Sequence, residues 1–351
     1  MWNYKAKIEF PIPELALGIL KKPQLTKNND TTEELSLKFF FDNLDLSPIW
    51  QIIRHKYSLV GRLPYNPKAM FKALLLKEIR QIPSRRKLTD FLKKEKIWLK
   101  KLGFNEAPTH ESLRRFIDKI GPETFEEIFK ELVRQVGREI EIGKIVAVDS
   151  TSIKGYAKYW KNKKCSDPDA SWGYSATKEW IFGYKVHIAC DAELELPIGF
   201  TVTGANKHDS VEYPSLLKDL IRREIRPKVI IADAGYDTKE NYFLALQYNA
   251  IPIIAFNRRK MKKEVTRDFE KDLPIPRKAE LWKILYAKRG SVERINSRLK
   301  EELCLKAVKV RTLEKVRTHV ALSLIAMLCI ALVALKTGNG DLLASVNSFR
   351  F

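Results

Sequence analysis

The chain has 351 residues, 64 of them Lys or Arg against 43 Asp or Glu, giving a formal net charge of +21 with 45% hydrophobic residues. That length and composition support a sizeable buried core and exclude a collagen-like, low-complexity or wholly disordered chain. The positive charge raises the local concentration of polyanions and points to an anionic partner such as nucleic acid, without specifying any chemistry.

Cys165, Cys190, Cys304 and Cys329 are scattered, with no C-x-x-C pair and no His at zinc-ligand spacing. They fit free thiols in a reducing, cytoplasmic setting better than a disulfide framework or a zinc site. The opening Met1-Trp2-Asn3-Tyr4-Lys5 lacks a basic segment followed by an apolar core, so no signal peptide is expected.

Residues 1–140 read as an all-α, helix-turn-helix-like domain for DNA binding or dimerisation, with apolar residues at three- and four-residue spacing. Pro67 opens one helix, PKAMFKALLLKEIRQI; Ser84 caps a second, SRRKLTDFLKK, and Thr109 a third, THESLRRFIDKIG. The third helix offers Arg114 and Arg115 to DNA, and the second Arg85, Arg86 and Lys87. The competing reading is a helical packing module whose arginines are simply solvated.

From Lys144 short β-branched runs alternate with helical stretches, the texture of a mixed α/β domain. Strands are expected at IVAVDST, FGYKVHIACD, LPIGFTVTG, KVIIAD and AIPIIAF, and helices at Val211 to Arg223 and Thr238 to Tyr248. The first three strands suit an antiparallel meander and the later two parallel additions. This is the element order of a ribonuclease H-like fold, a mixed five-stranded sheet with flanking helices, spanning 141–340. Asn257 to Arg277, charged and broken by Pro274 and Pro276, reads as a loop or small insertion. His319 to Leu335, HVALSLIAMLCIALVAL, is almost uninterrupted apolar sequence. It is short of the roughly 20 residues of a membrane span, so a helix buried in the protein, and no membrane partner, is expected.

Asp149 closes the run Ile145-Val146-Ala147-Val148, and Asp233 closes Val229-Ile230-Ile231-Ala232. A carboxylate at the end of an apolar strand must be hydrogen-bonded, protonated or bound to a cation, and two on neighbouring strands repel unless a cation lies between them. Each alone is more often a turn or cap residue. The helical stretch YAKRGSVERINSRLK places Tyr286, Arg289, Glu293 and Lys300 within roughly 60° of arc at about 100° per residue. One helix face then carries a phenol, a guanidinium, a carboxylate and an ammonium, although the spacing alone also describes a solvated charged face.

These three pieces in this order resemble the DDE-type insertion-sequence transposases with a Y-(2)-R-(3)-E-(6)-K signature, matched here at every position. The resemblance extends to GRLPYNPKAMFKALLLKEI, DPDASWG, GYKVH, GANKHDS and VRTHVALSLIAMLCIAL, covering roughly residues 60–335. It implies an enzyme that binds the terminal inverted repeats of its element on double-stranded DNA, cuts and joins strands, and acts as a homodimer or higher assembly. It further implies that Asp149, Asp233 and Glu293 are the catalytic metal ligands for two Mg²⁺ ions, replaceable by Mn²⁺. Tyr286, Arg289 and Lys300 would contact phosphates near the scissile bond. In support, residues 258–317 hold about 20 basic against about 9 acidic side chains.

His208 and Asp209 in GANKHDS match a His-Asp pair that the family places near the active site, but the preferred reading is that Asp209 or Ser210 caps the next helix. Trp160, Trp172 and Trp180 follow the first Asp in a basic, polar loop; Trp172 is the accessory candidate for stacking on an unpaired base. The stretch between Asp233 and Glu293 is too short for the large β-rich insertion of some relatives. A transposase derivative that binds DNA without cutting, and a ribonuclease H-like nuclease that cuts without joining, are the rival readings.

Overall fold

A computed structural model describes residues 36–57, 65–158, 165–174, 179–257, 267–306 and 308–350. Trp160, residues 258–266 of the expected 257–277 loop, and residues 1–35 and 58–64 of the N-terminal domain lie outside these residues.

The first half is helical, as its spacing requires: α1 (Leu37–Asn43), α2 (Ser47–Ile53), α3 (Pro67–Ile79), α4 (Arg85–Lys94), α5 (Lys96–Leu102), α6 (His110–Ile120) and α7 (Pro122–Glu139). The capping residues act as their chemistry predicts. Ser84 Oγ accepts from the Lys87 amide and Thr109 Oγ1 from the Ser112 amide, each satisfying a first-turn donor with no helical partner. Helices α4 and α6 pack together with α5 between them in sequence.

The sheet follows: β1 (Ile145–Lys154), β2 (Ser171–Tyr174), β3 (Trp180–Asp191), β4 (Leu196–Gly204), β5 (Val229–Ala232) and β6 (Ile251–Ile254). All five expected strands form, joined by the short β2, which pairs with residues 180–183 of β3 while β4 pairs with 184–191. The strand order is β2-β3-β1-β5-β6, with β4 also on β3; β1, β5 and β6 are parallel, and β3 is antiparallel to β1. Helices α8 (Asp209–Arg222) and α9 (Lys239–Gln247) make the crossovers, so the parallel strands are covered by helices and read as unbroken apolar runs. The architecture is the ribonuclease H-like one.

Two expectations need correction. The stretch around 286–300 is not one helix: α10 (Glu280–Ala287) ends before a turn at Lys288, α11 (Gly290–Ser297) follows, and a π turn runs over Arg298–Glu302. Gly290, the weakest helix former in the stretch, sits where the axis breaks. Nor does Asp209 or Ser210 cap α8. His208 holds the N-cap position without a side-chain bond, and the Asp209 carboxylate reaches across to the sheet instead.

The apolar helix α12 (Leu313–Lys336) lies inside the protein, with 89% of its most apolar window buried. It packs against α3, α7 and β4, joining the helical half to the sheet in one continuous core. Its Ser323 hydroxyl is a buried polar link, donating to Glu78 on α3 at 2.9 Å. Glu78 is fully buried and paired with Lys77 at 2.8 Å.

Candidate active site

Parallel pairing sets Val148 beside Ala232, so the next residues, Asp149 within β1 and Asp233 just past the end of β5, stand side by side where that pairing stops. Asp233 then caps a short turn, its Oδ1 accepting from the Gly235 amide at 2.8 Å. Asp149 is half-buried, and its Oδ2 accepts from the Asn296 amide at 3.2 Å. Burial first, and the neighbouring charge of Asp233 second, push the Asp149 carboxyl up to about 7, against the pull of the Ser150 amide and Arg289. Two carboxylates that repel in this way favour a bound cation between them.

A third acid, Asp209, adds to the same field. It accepts from Ser150 Oγ at 2.7 Å and from Lys185 Nζ at 3.0 Å, which ties α8 to β1 and β3. His187 Nδ1 lies 3.7 Å from it, but burial drives this imidazole down to about 4, so it is neutral at pH 7 and forms no ion pair. His208, by contrast, is exposed. The buried histidine of the region is therefore in GYKVH, not GANKHDS.

Helix α11 packs on β1 and β3, anchored by buried Val292 and Ile295 and by a 3.6 Å contact between Ser291 Oγ and Cys190 Sγ. Glu293 rides its outer face, 55% exposed, and takes a 2.6 Å hydrogen bond from Arg289. Arg289 in turn lies over the Tyr286 ring at 5.7 Å, and Tyr286 stacks on Trp282 with centroids 4.7 Å apart. Tyr286, Arg289 and Glu293 thus touch one another despite the helix break. Among the described residues no three His, Cys, Asp or Glu side chains are gathered as a metal cage. Asp149 and Asp233 are brought together; Glu293 is held toward Arg289.

Three features of this pair fit a hard cation. The donors are carboxylate oxygens. Gly235 leaves a hollow beside them, where an added Cβ would lie 3.0 Å from Asp233 Oδ1 and 3.5 Å from Asp209 Oδ2. Two buried polar atoms next to the acids, Asn296 Oδ1 and the Tyr236 hydroxyl, have no hydrogen-bond partner among the described residues.

Lys300 is half-buried and close enough to Asp149 to feel its charge, although burial lowers its pKa overall. It lines a groove of about 730 Å³ together with Arg85, Arg86, His110, Lys306 and Lys309, Glu301 being the one acid on the wall. The groove therefore runs from the helical half toward the acids. Arg114 and Arg115 do not line it, although Arg114 is close enough to Arg85 to act on its charge; Arg114 is bonded to Glu111 and Asp118, and Arg115 to Glu111. Trp172 is not in a loop but on β2; it is 43% exposed, its ring 5.5 Å from that of Phe182. Sequence reasoning missed Asn296, Lys185 and His187. Asn296 could have been found from helical spacing, since it stands one turn beyond Glu293.

A family model described as "Transposase DDE domain" matches residues 142–329, and one described as "Transposase domain (DUF772)" matches 24–119. No curated protein matches. Among solved structures, the chain is similar to the piggyBac transposase synaptic complex with hairpin DNA at 12% identity and a TM-score of 0.47, covering 92% of this chain and 81% of that one. It is also similar to the Mos1 transposase paired-end complex with left transposon end at 12% identity and a TM-score of 0.22, covering 79% and 82%. The sequence models, not these overlays, carry the relationship.

Proposed function

The chain belongs to the DDE transposase family, and on that premise we propose that it is an insertion-sequence transposase that binds the terminal inverted repeats of its element and cuts and joins DNA. The observation that carries the reading is the pair Asp149 and Asp233, side by side where the parallel pairing of β1 with β5 stops, with the Glu293 helix packed against β1. DDE transposases generally use divalent metal ions. Here Asp149 and Asp233 would hold the cations, two Mg²⁺ replaceable by Mn²⁺, and Glu293, now bonded to Arg289, would complete the set. When bound, such ions activate the attacking oxygen of a phosphodiester exchange and stabilise the leaving one.

The protein's own groups position the DNA. Arg289 presents a planar fork to two phosphate oxygens once Glu293 leaves it, Tyr286 supplies a hydroxyl beside it, and Lys300 a point charge. The basic groove from Arg85 and Arg86 to Lys300 leads the strand toward the acids, and its single acid makes it a better phosphate track than the ion-paired Arg114 and Arg115. Exposed Trp172 offers a face for an unpaired base. Residues 1–140 serve recognition and dimerisation, and 141–340 catalysis. Two copies at least act together, because two element ends must be held at once.

The test is a labelled duplex carrying the element end, incubated with the full chain in Mg²⁺ or in EDTA. Metal-dependent nicking at the repeat boundary followed by joined products is expected. Tight binding with no cut in Mg²⁺ or Mn²⁺ would overturn the enzymatic reading in favour of a non-catalytic DNA-binding protein.

A further inference from the structure

Asn296 is an unusual residue for its place. It stands on the last turn of α11, at 9% exposure, facing Asp149 on β1. Its Nδ2 donates to Asp149 Oδ2 at 3.2 Å, the orientation an ionised Asp149 requires, since the opposite one would set two acceptors against each other. The other end of the same amide, Oδ1, is buried with no partner among the described residues. A buried acceptor left unsatisfied is costly, and apolar residues of similar size fill such positions elsewhere on this helix, as Val292 and Ile295 do. An amide is retained where both of its ends are used.

Asp149 needs the first end. Crowded by Asp233 and Asp209, it gains from a neutral donor that holds one oxygen and leaves the other for a cation. The second end is a neutral oxygen, a donor type that divalent hard cations accept beside carboxylates without adding further negative charge to the site. Lys185 cannot play this part, because it is a cation already bound to Asp209.

We infer that Asn296 is a fourth residue of the metal centre, holding Asp149 through Nδ2 and giving Oδ1 to the coordination shell of the divalent cation, directly or through a bound water. This rests on the assignment of Asp149 and Asp233 proposed above.

The experiment is a Mn²⁺ titration of the full chain followed by the electron paramagnetic resonance of free Mn²⁺, on wild type, Asn296→Ala, Asn296→Asp and Asp149→Asn, each first shown to unfold cooperatively in EDTA. Removal of such a supporting group weakens metal binding by roughly 10- to 100-fold, and Asn296→Ala is expected in that range. Asn296→Asp keeps an oxygen while losing the N–H donor, and should stay closer to wild type than the alanine variant does. Equal Mn²⁺ affinity in wild type and Asn296→Ala would overturn the inference. So would an Asn296→Asp as weak as Asn296→Ala, which would confine Asn296 to hydrogen-bonding Asp149. Wild type and Asp149→Asn binding Mn²⁺ alike would instead show that the carboxylate assignment itself has failed.

Discussion

Asp149→Asn preserves the shape of the side chain and an oxygen able to accept from Asn296, while deleting a charge that the fold disfavours when no cation is bound. Burial and Asp233 lift the Asp149 carboxyl to about 7, whereas an unfolded chain ionises near 3.9. A group raised on folding contributes stability fully below its unfolded value and loses it as pH rises through its folded value. The window is therefore about pH 4 to 7. Three units at about 1.36 kcal/mol each give about 4 kcal/mol as an upper figure, and water reaching the half-buried acids reduces it to about 1 to 2 kcal/mol. In EDTA at pH 8, Asp149→Asn should accordingly be more stable than wild type by that amount, a few degrees in Tm, and the advantage should vanish near pH 4. Mg²⁺ should stabilise wild type far more than the variant. Thermal melts at pH 4, 6 and 8 with and without Mg²⁺ measure this; parallel pH profiles for the two proteins in EDTA would refute the reasoning.

Glu293→Gln should leave DNA binding within twofold of wild type in a gel-shift assay and abolish cleavage, since it removes a charged oxygen ligand while keeping shape; cleavage at the wild-type rate would remove Glu293 from the site. Arg86→Gln and Lys309→Gln, in the basic groove, should each lower the slope of log K against log salt by about 1, seen in fluorescence anisotropy with a labelled duplex. Arg115→Gln, already bonded to Glu111, should change it less. Glu78→Ala strands the Lys77 ammonium in the core and removes the acceptor of Ser323, so urea unfolding should show a loss of about 3 to 5 kcal/mol. Burial pushes the Cys190 and Cys329 thiols up to about 12, so a thiolate-selective reagent at pH 8 should modify neither until the chain is unfolded.

The strands were legible because β-branched runs such as Ile145 to Val148 have one comfortable place, a sheet covered by helices. The caps at Ser84 and Thr109 were legible for the same local reason, a hydroxyl next to unpaired amides. The break between α10 and α11 was not, because the Tyr286, Arg289, Glu293 and Lys300 spacing satisfies an unbroken helix equally well, and Gly290 alone does not force a turn. The destination of Asp209 was hidden too. Its partners Ser150 and Lys185 are 59 and 24 residues away, and only the pairing of β1 with β3 brings them under the start of α8. Asn296 belongs to the same class, its partner Asp149 being 147 residues distant. Local chemistry places caps and strands; the neighbours of a charged side chain follow from sheet register.

The central claim is that Asp149 and Asp233 together hold a catalytic divalent cation, and anomalous diffraction from a crystal of the full chain soaked in Mn²⁺ tests it most directly. An anomalous peak in contact with oxygens of both carboxylates, lost on soaking in EDTA, is expected. Ordered side chains at both positions with Mn²⁺ bound elsewhere, or nowhere, would contradict it.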